Sequence, residues 1–279
     1  MSNCAIEQLR KSIVDEYLKS NREMWDDWAP LHAQSEFYDV EGFINGRCTL
    51  KKPELEEMGD VSGRSLLHLQ CHFGLDTLSW ARLGARVTGV DFSENAIEIA
   101  RSLSEQIGVE AEFVCSNIYE LPDNLAGEFD IVYTSIGALC WLNDIERWGE
   151  IVSHYIKPGG FFYILEGHPV LNIFDDSEDS TELKIVPSYF HSEKPEEYES
   201  TGSYAGAVPD RKHTSYEWAH SMSDIINALI GADLRIEFLH EFPIAFFKAY
   251  PFLEQDKDGY WRLEGDKVPM TFSLKATKP

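Results

Sequence analysis

Two rhythms of apolar residues run along this chain. Short stretches of strand length, with apolar residues at most positions, fall at Ser65–Leu69, Arg86–Val90, Glu110–Val114, Phe129–Ser135 and Gly160–Leu165. Stretches with helical spacing separate them. The clearest is NAIEIARSLSEQI, where Ala96, Ala100, Leu103 and Ile107 share a face and Ser93 stands at the capping position. Strand and helix in alternation predict an α/β fold with a parallel sheet, right-handed crossovers and helices on both faces. Near the end, Ser221-x-x-Asp224 is a capping box opening SDIINALIGA, and LRIEFLHEF and MTFSLKA read as two further strands, bringing the sheet to seven.

Two regions depart from this pattern. Before Gly63, Ile6, Leu9, Ile13 and Tyr17 mark an amphipathic helix, followed by the aromatic-rich MWDDWAPLHAQSEFYDVEGF. Between Gly167 and His220 no helical period is present. An acidic run there, Asp175 to Glu182, has the composition of a solvated loop, but Tyr189, Tyr204, Tyr216 and Trp218 are too many aromatics for a linker, and a hairpin is the expected form. The chain thus divides into a helical cover (1–63), an α/β domain (64–167 and 221–279) and a lobe inserted after the fifth strand (168–220).

A net charge of −24, with no basic run to reverse it locally, sets the surface against phosphate backbones and disfavours DNA and RNA as partners. A small molecule, neutral or cationic, suits that surface better. No stretch approaches the roughly 20 apolar residues of a membrane span, and the amino terminus lacks a signal-peptide core, so a cytoplasmic protein is expected. The five cysteines, Cys4, Cys48, Cys71, Cys115 and Cys140, are scattered without ligand spacing, and no His-x-x-x-His pair falls on a helix; reduced thiols and no metal are expected. No feature sets an oligomeric state.

Candidate chemistry concentrates in SLLHLQCHFGLDTLSWARLGARVTGVDFS, Ser65 to Ser93: strand, tight turn, helix, strand, acid. A dinucleotide site needs three glycines in the first turn so that the backbone can approach a pyrophosphate. Here Gln70 and His72 occupy two of those positions and only Gly74 remains, which suits a nucleoside without a pyrophosphate. Asp91 ends the second strand, where a carboxylate can accept from both ribose hydroxyls or else cap the next helix; Ser93 is the better cap, which leaves Asp91 to the ligand. Cys71, inside the turn, is either a reactive thiol or a small packing residue.

From Ser65 to Gly167 the chain resembles class I S-adenosylmethionine-dependent methyltransferases. The second-strand acid matches at Asp91, Asn117 in FVCSNIYELP stands at the adenine-contacting position, FDIVYTSIGALCWL is similar to the fourth strand, and YIKPGGFFYILEGHP to the Pro-Gly-Gly turn and fifth strand. His68 replaces the acid that usually ends the first strand. The resemblance implies a Rossmann-like seven-stranded methyltransferase sheet ending in an antiparallel hairpin, with S-adenosylmethionine as donor and S-adenosylhomocysteine as product. It places the cofactor against Gln70, Cys71, His72, Gly74, Asp91, Phe92, Ser93, Asn117, Ile118 and Ser135. Of the two imidazoles near the turn, His72 is expected to reach the ligand, for example its methionine carboxylate, and His68 to pack beneath.

The implied reaction is in-line attack by an O, N or S atom of a small-molecule acceptor, with catalysis mostly positional. Glu166 and His168, just after the fifth strand, are the candidate bases, with His213 and His220 behind them. In the alternative reading Glu166 caps a loop and His168, preceding Pro169, marks an extended turn. For the acceptor, Tyr17, Trp28, His32, Tyr38, Trp141, Tyr204, Trp218 and His220 are candidate contacts; aromatic walls favour a sulfonium cation and exclude water, although the amino-terminal ones equally serve to pack a helix. Two other functions stay open: binding of S-adenosylmethionine without catalysis, as a regulatory or scaffold protein, and a nicotinamide-dependent reductase.

Overall fold

The structure, a computed structural model, describes residues 3–175, 177, 180–181, 183–206 and 211–279, with residues 3–11 as backbone alone. Four positions of the acidic run (176, 178, 179 and 182), the loop tip 207–210, and the side chains of Ile6 and Leu9 therefore lie outside the described residues.

In chain order the elements are α1 (Asn3–His32), α2 (Val40–Ile44), α3 (Lys52–Met58), β1 (Ser65–Leu69), α4 (Leu75–Arg82), β2 (Arg86–Asp91), α5 (Glu94–Ile107), β3 (Glu112–Cys115), α6 (Leu121–Asn124), β4 (Phe129–Thr134), α7 (Ile145–Tyr155), β5 (Ile156–Gly167), β6 (Glu196–Ser200), β7 (His213–Glu217), α8 (Met222–Gly231), β8 (Arg235–Phe242), the two-residue pair β9 (Glu254–Gln255) and β10 (Trp261–Arg262), and β11 (Thr271–Thr277). Hydrogen bonding orders seven strands β3-β2-β1-β4-β5-β11-β8. β1 with β2, β2 with β3 and β4 with β5 are parallel, whereas β11 runs antiparallel to both β5 and β8. This is the expected seven-stranded sheet with its antiparallel end. No described helix is long and apolar enough to cross a membrane.

By contact the chain forms two compact units. The first comprises residues 1–51, 60–126 and 195–217 and holds β1–β3 and the β6–β7 hairpin; the second comprises 52–59, 127–194 and 218–279 and holds β4, β5, β8 and β11. The stretch 168–220 is thus shared between them, and its hairpin packs on α1 within the first unit.

In the first unit the amino-terminal helix is longer than the sequence pattern indicates. α1 continues through the aromatic-rich segment to His32 and contains Pro30. Proline has no N–H, so the Asp26 carbonyl four residues back loses its helical donor. Asn95 Nδ2 donates to that carbonyl instead at 2.8 Å, and the Asp26 carboxylate accepts from Ser93 Oγ at 2.7 Å, which fastens α1 to the start of α5. A buried amide clamps the hairpin to the same helix: Asn21 Nδ2 donates to Tyr216 O at 2.7 Å and Asn21 Oδ1 accepts from Tyr216 N at 2.8 Å, so one side chain satisfies both backbone groups as a neighbouring strand would. The core of this unit packs Phe43, Phe73, Leu78, Ile97 and Phe113 between helices and sheet.

In the second unit α7 and α8 approach until backbone nearly touches backbone. A Cβ at Gly149 would lie 2.6 Å from Ala228 O, so only glycine fits there. Ser221 and Asp224 form the expected capping box of α8, each side chain accepting the other's backbone N–H.

Candidate active site

The turn after β1 keeps a glycine-type backbone without the glycines. Gln70 and His72 have φ of 57° and 51°, and Gly74 follows at 79°. Left-handed φ at two L-residues costs roughly 1 kcal/mol each or more, so the surroundings must hold it. Cys71 N–H donates to Val90 O at 2.8 Å, and His72 N–H donates to the Asp91 carboxylate at 2.8 Å. Gly74 admits no substitute, since a Cβ there would lie 2.8 Å from the Phe113 ring. Burial pushes the Cys71 thiol up, and its side chain belongs to the core, so packing rather than reactivity is its part here.

Asp91 corrects one expectation. Ser93 does cap α5, accepting from Ala96 N at 3.1 Å, yet this does not leave Asp91 unengaged: its carboxylate accepts from His72 N at one oxygen and from Ser93 N, at 3.0 Å, at the other. Burial raises its pKa to about 6, against the pull of those amides. The Phe92 amide pulls in the same direction; a carboxylate offers about four lone-pair positions, so acceptor capacity remains beyond these bonds. Phe92 lies between Asp91 and Ser93. Asn117 begins a short 3-10 turn, its Oδ1 accepting from Tyr119 N at 3.0 Å, with Ile118 buried behind it. Ser135 follows β4, in the second unit.

These features fit an adenosyl ligand. The turn has the φ signs a Gly-x-Gly-x-Gly sequence would supply, the acid stands at the strand end with unused acceptor capacity, and the Gln70 and His72 side chains occupy the positions a pyrophosphate would need bare.

An aromatic cluster in the first unit surrounds His72. Trp25, His32 and Phe73 have ring centroids 5.1, 5.2 and 4.4 Å from it, and Tyr38 and Tyr204 lie 5.4 and 5.0 Å from His32. The Tyr38 and Tyr204 hydroxyls are hydrogen-bonded to each other, and His32 Nδ1 is 3.1 Å from His72 Nε2. His72 Nε2 is therefore engaged by another imidazole. His68 behaves as expected of a packing residue: it is buried, bonded through Nδ1 to Thr77 Oγ1 at 2.7 Å, and held by burial at about 3. Of the expected acceptor contacts, the fold brings Trp28, His32, Tyr38 and Tyr204 together here. Tyr17 lies elsewhere in the same unit, its ring centroid 4.3 Å from that of Tyr216 with the planes tilted by 37°. Trp25 joins this cluster as well, and its helical spacing with Trp28 and His32 marks one face of α1.

In the second unit Glu166 adopts the loop-capping alternative. Its carboxylate accepts four backbone N–H groups: Gly137 at 2.6 Å and Gly167 at 2.7 Å on one oxygen, Ala138 at 2.8 Å and Leu139 at 3.2 Å on the other. Every lone-pair position is taken, which removes Glu166 as a base. His168 is likewise used on both nitrogens: Nδ1 accepts from Val170 N at 3.1 Å and Nε2 lies 2.9 Å from the Glu241 carboxylate. Trp218 N–H donates to Cys140 O, and His220 Nε2 lies 2.7 Å from Leu142 O, so the segment after the hairpin is tied to the loop carrying Trp141. His213, in the first unit, faces Asp27 at 3.3 Å.

Residues 67–164 match the family model described as a methyltransferase domain. The ubiquinone biosynthesis O-methyltransferase of Bordetella avium is 30% identical over 206 residues, covering 70% of this chain and 80% of that protein. The chain belongs to the class I S-adenosylmethionine-dependent methyltransferases. Solved structures agree on the fold: an S-adenosylmethionine-dependent methyltransferase from Mesorhizobium loti superposes with a TM-score of 0.52 at 20% identity over 84% of this chain and 99% of that one. A second, from Clostridium acetobutylicum, gives 0.53 at 15% identity, covering 88% and 93%. The methyltransferase takes its methyl group from S-adenosylmethionine and releases S-adenosylhomocysteine.

Proposed function

We propose that this methyltransferase methylates an oxygen of a small-molecule acceptor in the cytoplasm, with the adenosyl ligand held at Gln70, Cys71, His72, Gly74, Asp91, Phe92, Ser93, Asn117 and Ile118. Bound S-adenosylmethionine supplies the electrophilic methyl on a sulfonium. The observation that carries the reading is the glycine-type backbone at Gln70 and His72, held against Asp91. Asp91 is the acceptor for ribose hydroxyls, and the Gly74 turn lets the ligand meet backbone rather than side chain. Trp28, His32, Tyr38 and Tyr204 form the acceptor wall, supplying aromatic faces and a dry surrounding. Oxygen is favoured because the Bordetella avium relative is named as an O-methyltransferase. The −24 charge speaks against a nucleic-acid acceptor, and the free thiols of Cys48, Cys71, Cys115 and Cys140 suit a reducing compartment.

Calorimetry with S-adenosylhomocysteine, followed by transfer of labelled methyl from S-adenosylmethionine to a panel of phenols, alcohols, amines and thiols, tests this. Micromolar binding and transfer to hydroxyl-bearing members are expected. Binding with no transfer supports the regulatory alternative, and stabilisation by NAD alone overturns the assignment of the turn.

A further inference from the structure

With Glu166 and His168 committed to structural bonds, proton uptake has to be sought elsewhere. In the first unit His32 and His72 meet nitrogen to nitrogen, Nδ1 to Nε2, at 3.1 Å. Neither nitrogen of a neutral imidazole pair can be a contact without a single hydrogen between them, so this is one N–H···N bond whose hydrogen sits on either ring. His32 is fully buried and its other nitrogen, Nε2, has no partner among the described residues. Trp28, one helical turn earlier and 6% exposed, likewise buries an unpartnered Nε1–H, with its ring centroid 5.6 Å from that of His32. Unpaired buried polar groups cost about 1–3 kcal/mol each, and a polar ligand on this helix face next to the cofactor turn would complete both.

We propose that His32 and His72 form the proton-accepting pair of the transfer reaction: His32 Nε2 takes the proton of the acceptor's nucleophilic hydroxyl, and His72 is a positioning residue that sets the tautomer of His32 through the Nδ1–Nε2 hydrogen bond. Trp28 Nε1–H is a donor only, and it supplies the hydrogen bond that selects an oxygen at this place. This rests on the methyltransferase reading above. As the hydroxyl's electron pair forms the new C–O bond, its proton passes to His32 Nε2 and the electrons of the C–S bond remain on sulfur. The positive charge lost at sulfur appears on imidazole, so the charge of the buried site is unchanged across the step, and the hydrogen between the rings can shift to His72 to spread it. Burial holds His32 at about 4 and His72 well below its usual value, so both rings are neutral at pH 7 and the lone pair is available. The titratable side chains facing the pair are Tyr38 and Tyr204, with Asp76 and Asp91 beyond Tyr38.

Two measurements test this. In protein labelled with 15N-histidine and loaded with S-adenosylhomocysteine, NMR at pH 7 should show both rings neutral and a coupling across the N–H···N bond that vanishes in His72→Phe. A doubly protonated ring, or no coupling, overturns the pair. In methyl transfer to the phenols and alcohols of the panel, His32→Phe should lose about 100-fold in kcat while S-adenosylhomocysteine affinity changes less than threefold. His72→Phe should lose about tenfold in kcat and move the acid limb of the pH profile. Turnover of His32→Phe within threefold of wild type, or a wild type that binds the nucleoside yet methylates no hydroxyl-bearing probe, overturns the base assignment. Failure of the wild type to bind S-adenosylhomocysteine instead strikes the methyltransferase reading, while the coupling measured without ligand still decides the pair.

Discussion

Two buried carboxylates stand at strand ends in this molecule and hold backbone amides, yet they are spent differently. Glu166, at the end of β5, takes four N–H groups from Gly137, Ala138, Leu139 and Gly167 and is full. Asp91, at the end of β2, takes well-formed bonds from His72 and Ser93, with the Phe92 amide also pulling on it, and keeps some acceptor capacity. Both are nearly inaccessible to solvent, and burial raises the pKa of each. Burial and perturbed titration therefore do not separate a structural acid from a binding one here. The proposed ribose role of Asp91 rests instead on its unused lone pairs.

The sharpest test of that contrast is to neutralise each in turn. Glu166→Gln puts an amide NH2 among four inward-pointing N–H groups and leaves at least two unsatisfied; a loss of about 3 kcal/mol or more in urea unfolding is expected. Asp91→Asn also disturbs a pair of amides, but its main effect should be on the ligand, with S-adenosylhomocysteine affinity falling about 100-fold by calorimetry, since hydrogen bonds to a charged acceptor contribute about 1.5–3 kcal/mol each. If Glu166→Gln retains full stability, or Asp91→Asn binds normally, the contrast between full and open carboxylates collapses.

The pH dependence of Asp91 refines the comparison, because fold and ligand respond with opposite sign. Its folded pKa of about 6 exceeds the ordinary 3.8, so its contribution to stability is fully present below 3.8 and is lost as pH rises through 6. A ribose-binding carboxylate must be ionised, so affinity for S-adenosylhomocysteine should run the other way, weakening about tenfold per unit as pH falls below 6, to roughly tenfold at pH 5. Asp91→Asn should flatten both trends between pH 4 and 7. A wild-type affinity independent of pH over that range would mean that Asp91 does not hold the ligand.

Much of the frame was legible in the sequence, for reasons visible in particular elements. β1 falls at Ser65–Leu69 as expected, because three leucines in five residues make a short segment buried on both faces, and His68 is satisfied there by Thr77. The Ser221–Asp224 box is likewise local, its whole interaction spanning four residues. β5 begins four residues earlier than its apolar run, since Ile156 is already paired with Phe129 before the Pro-Gly-Gly turn and polarity along the chain does not record that register. The continuity of α1 through Pro30 was hidden because the compensating donor, Asn95, is remote in sequence. The same holds for Asn21, whose partner Tyr216 lies 195 residues away and leaves no periodic trace. At the candidate site, residue types were readable but their engagement was not: nothing in the sequence distinguishes a Glu166 with four amides from one with none.

The smallest expected effect is also the most direct probe of the turn that both readings share. Gln70 and His72 sit at φ of 57° and 51°, where an L-residue is strained and glycine is not. Gln70→Gly should relieve roughly 1 kcal/mol of that strain, but glycine also gives the unfolded chain more freedom, a cost of about 0.4–1 kcal/mol, so the net change in unfolding free energy should stay within about 1 kcal/mol. Gln70→Val should move clearly the other way, because a β-branched side chain resists positive φ more than glutamine does. If the turn instead has ordinary negative φ at this residue, the order reverses: glycine becomes the destabilising replacement and valine the tolerated one. A pair of melting curves decides between these backbones, and with them whether an S-adenosylmethionine turn can be built with side chains where a Gly-x-Gly-x-Gly turn has glycine.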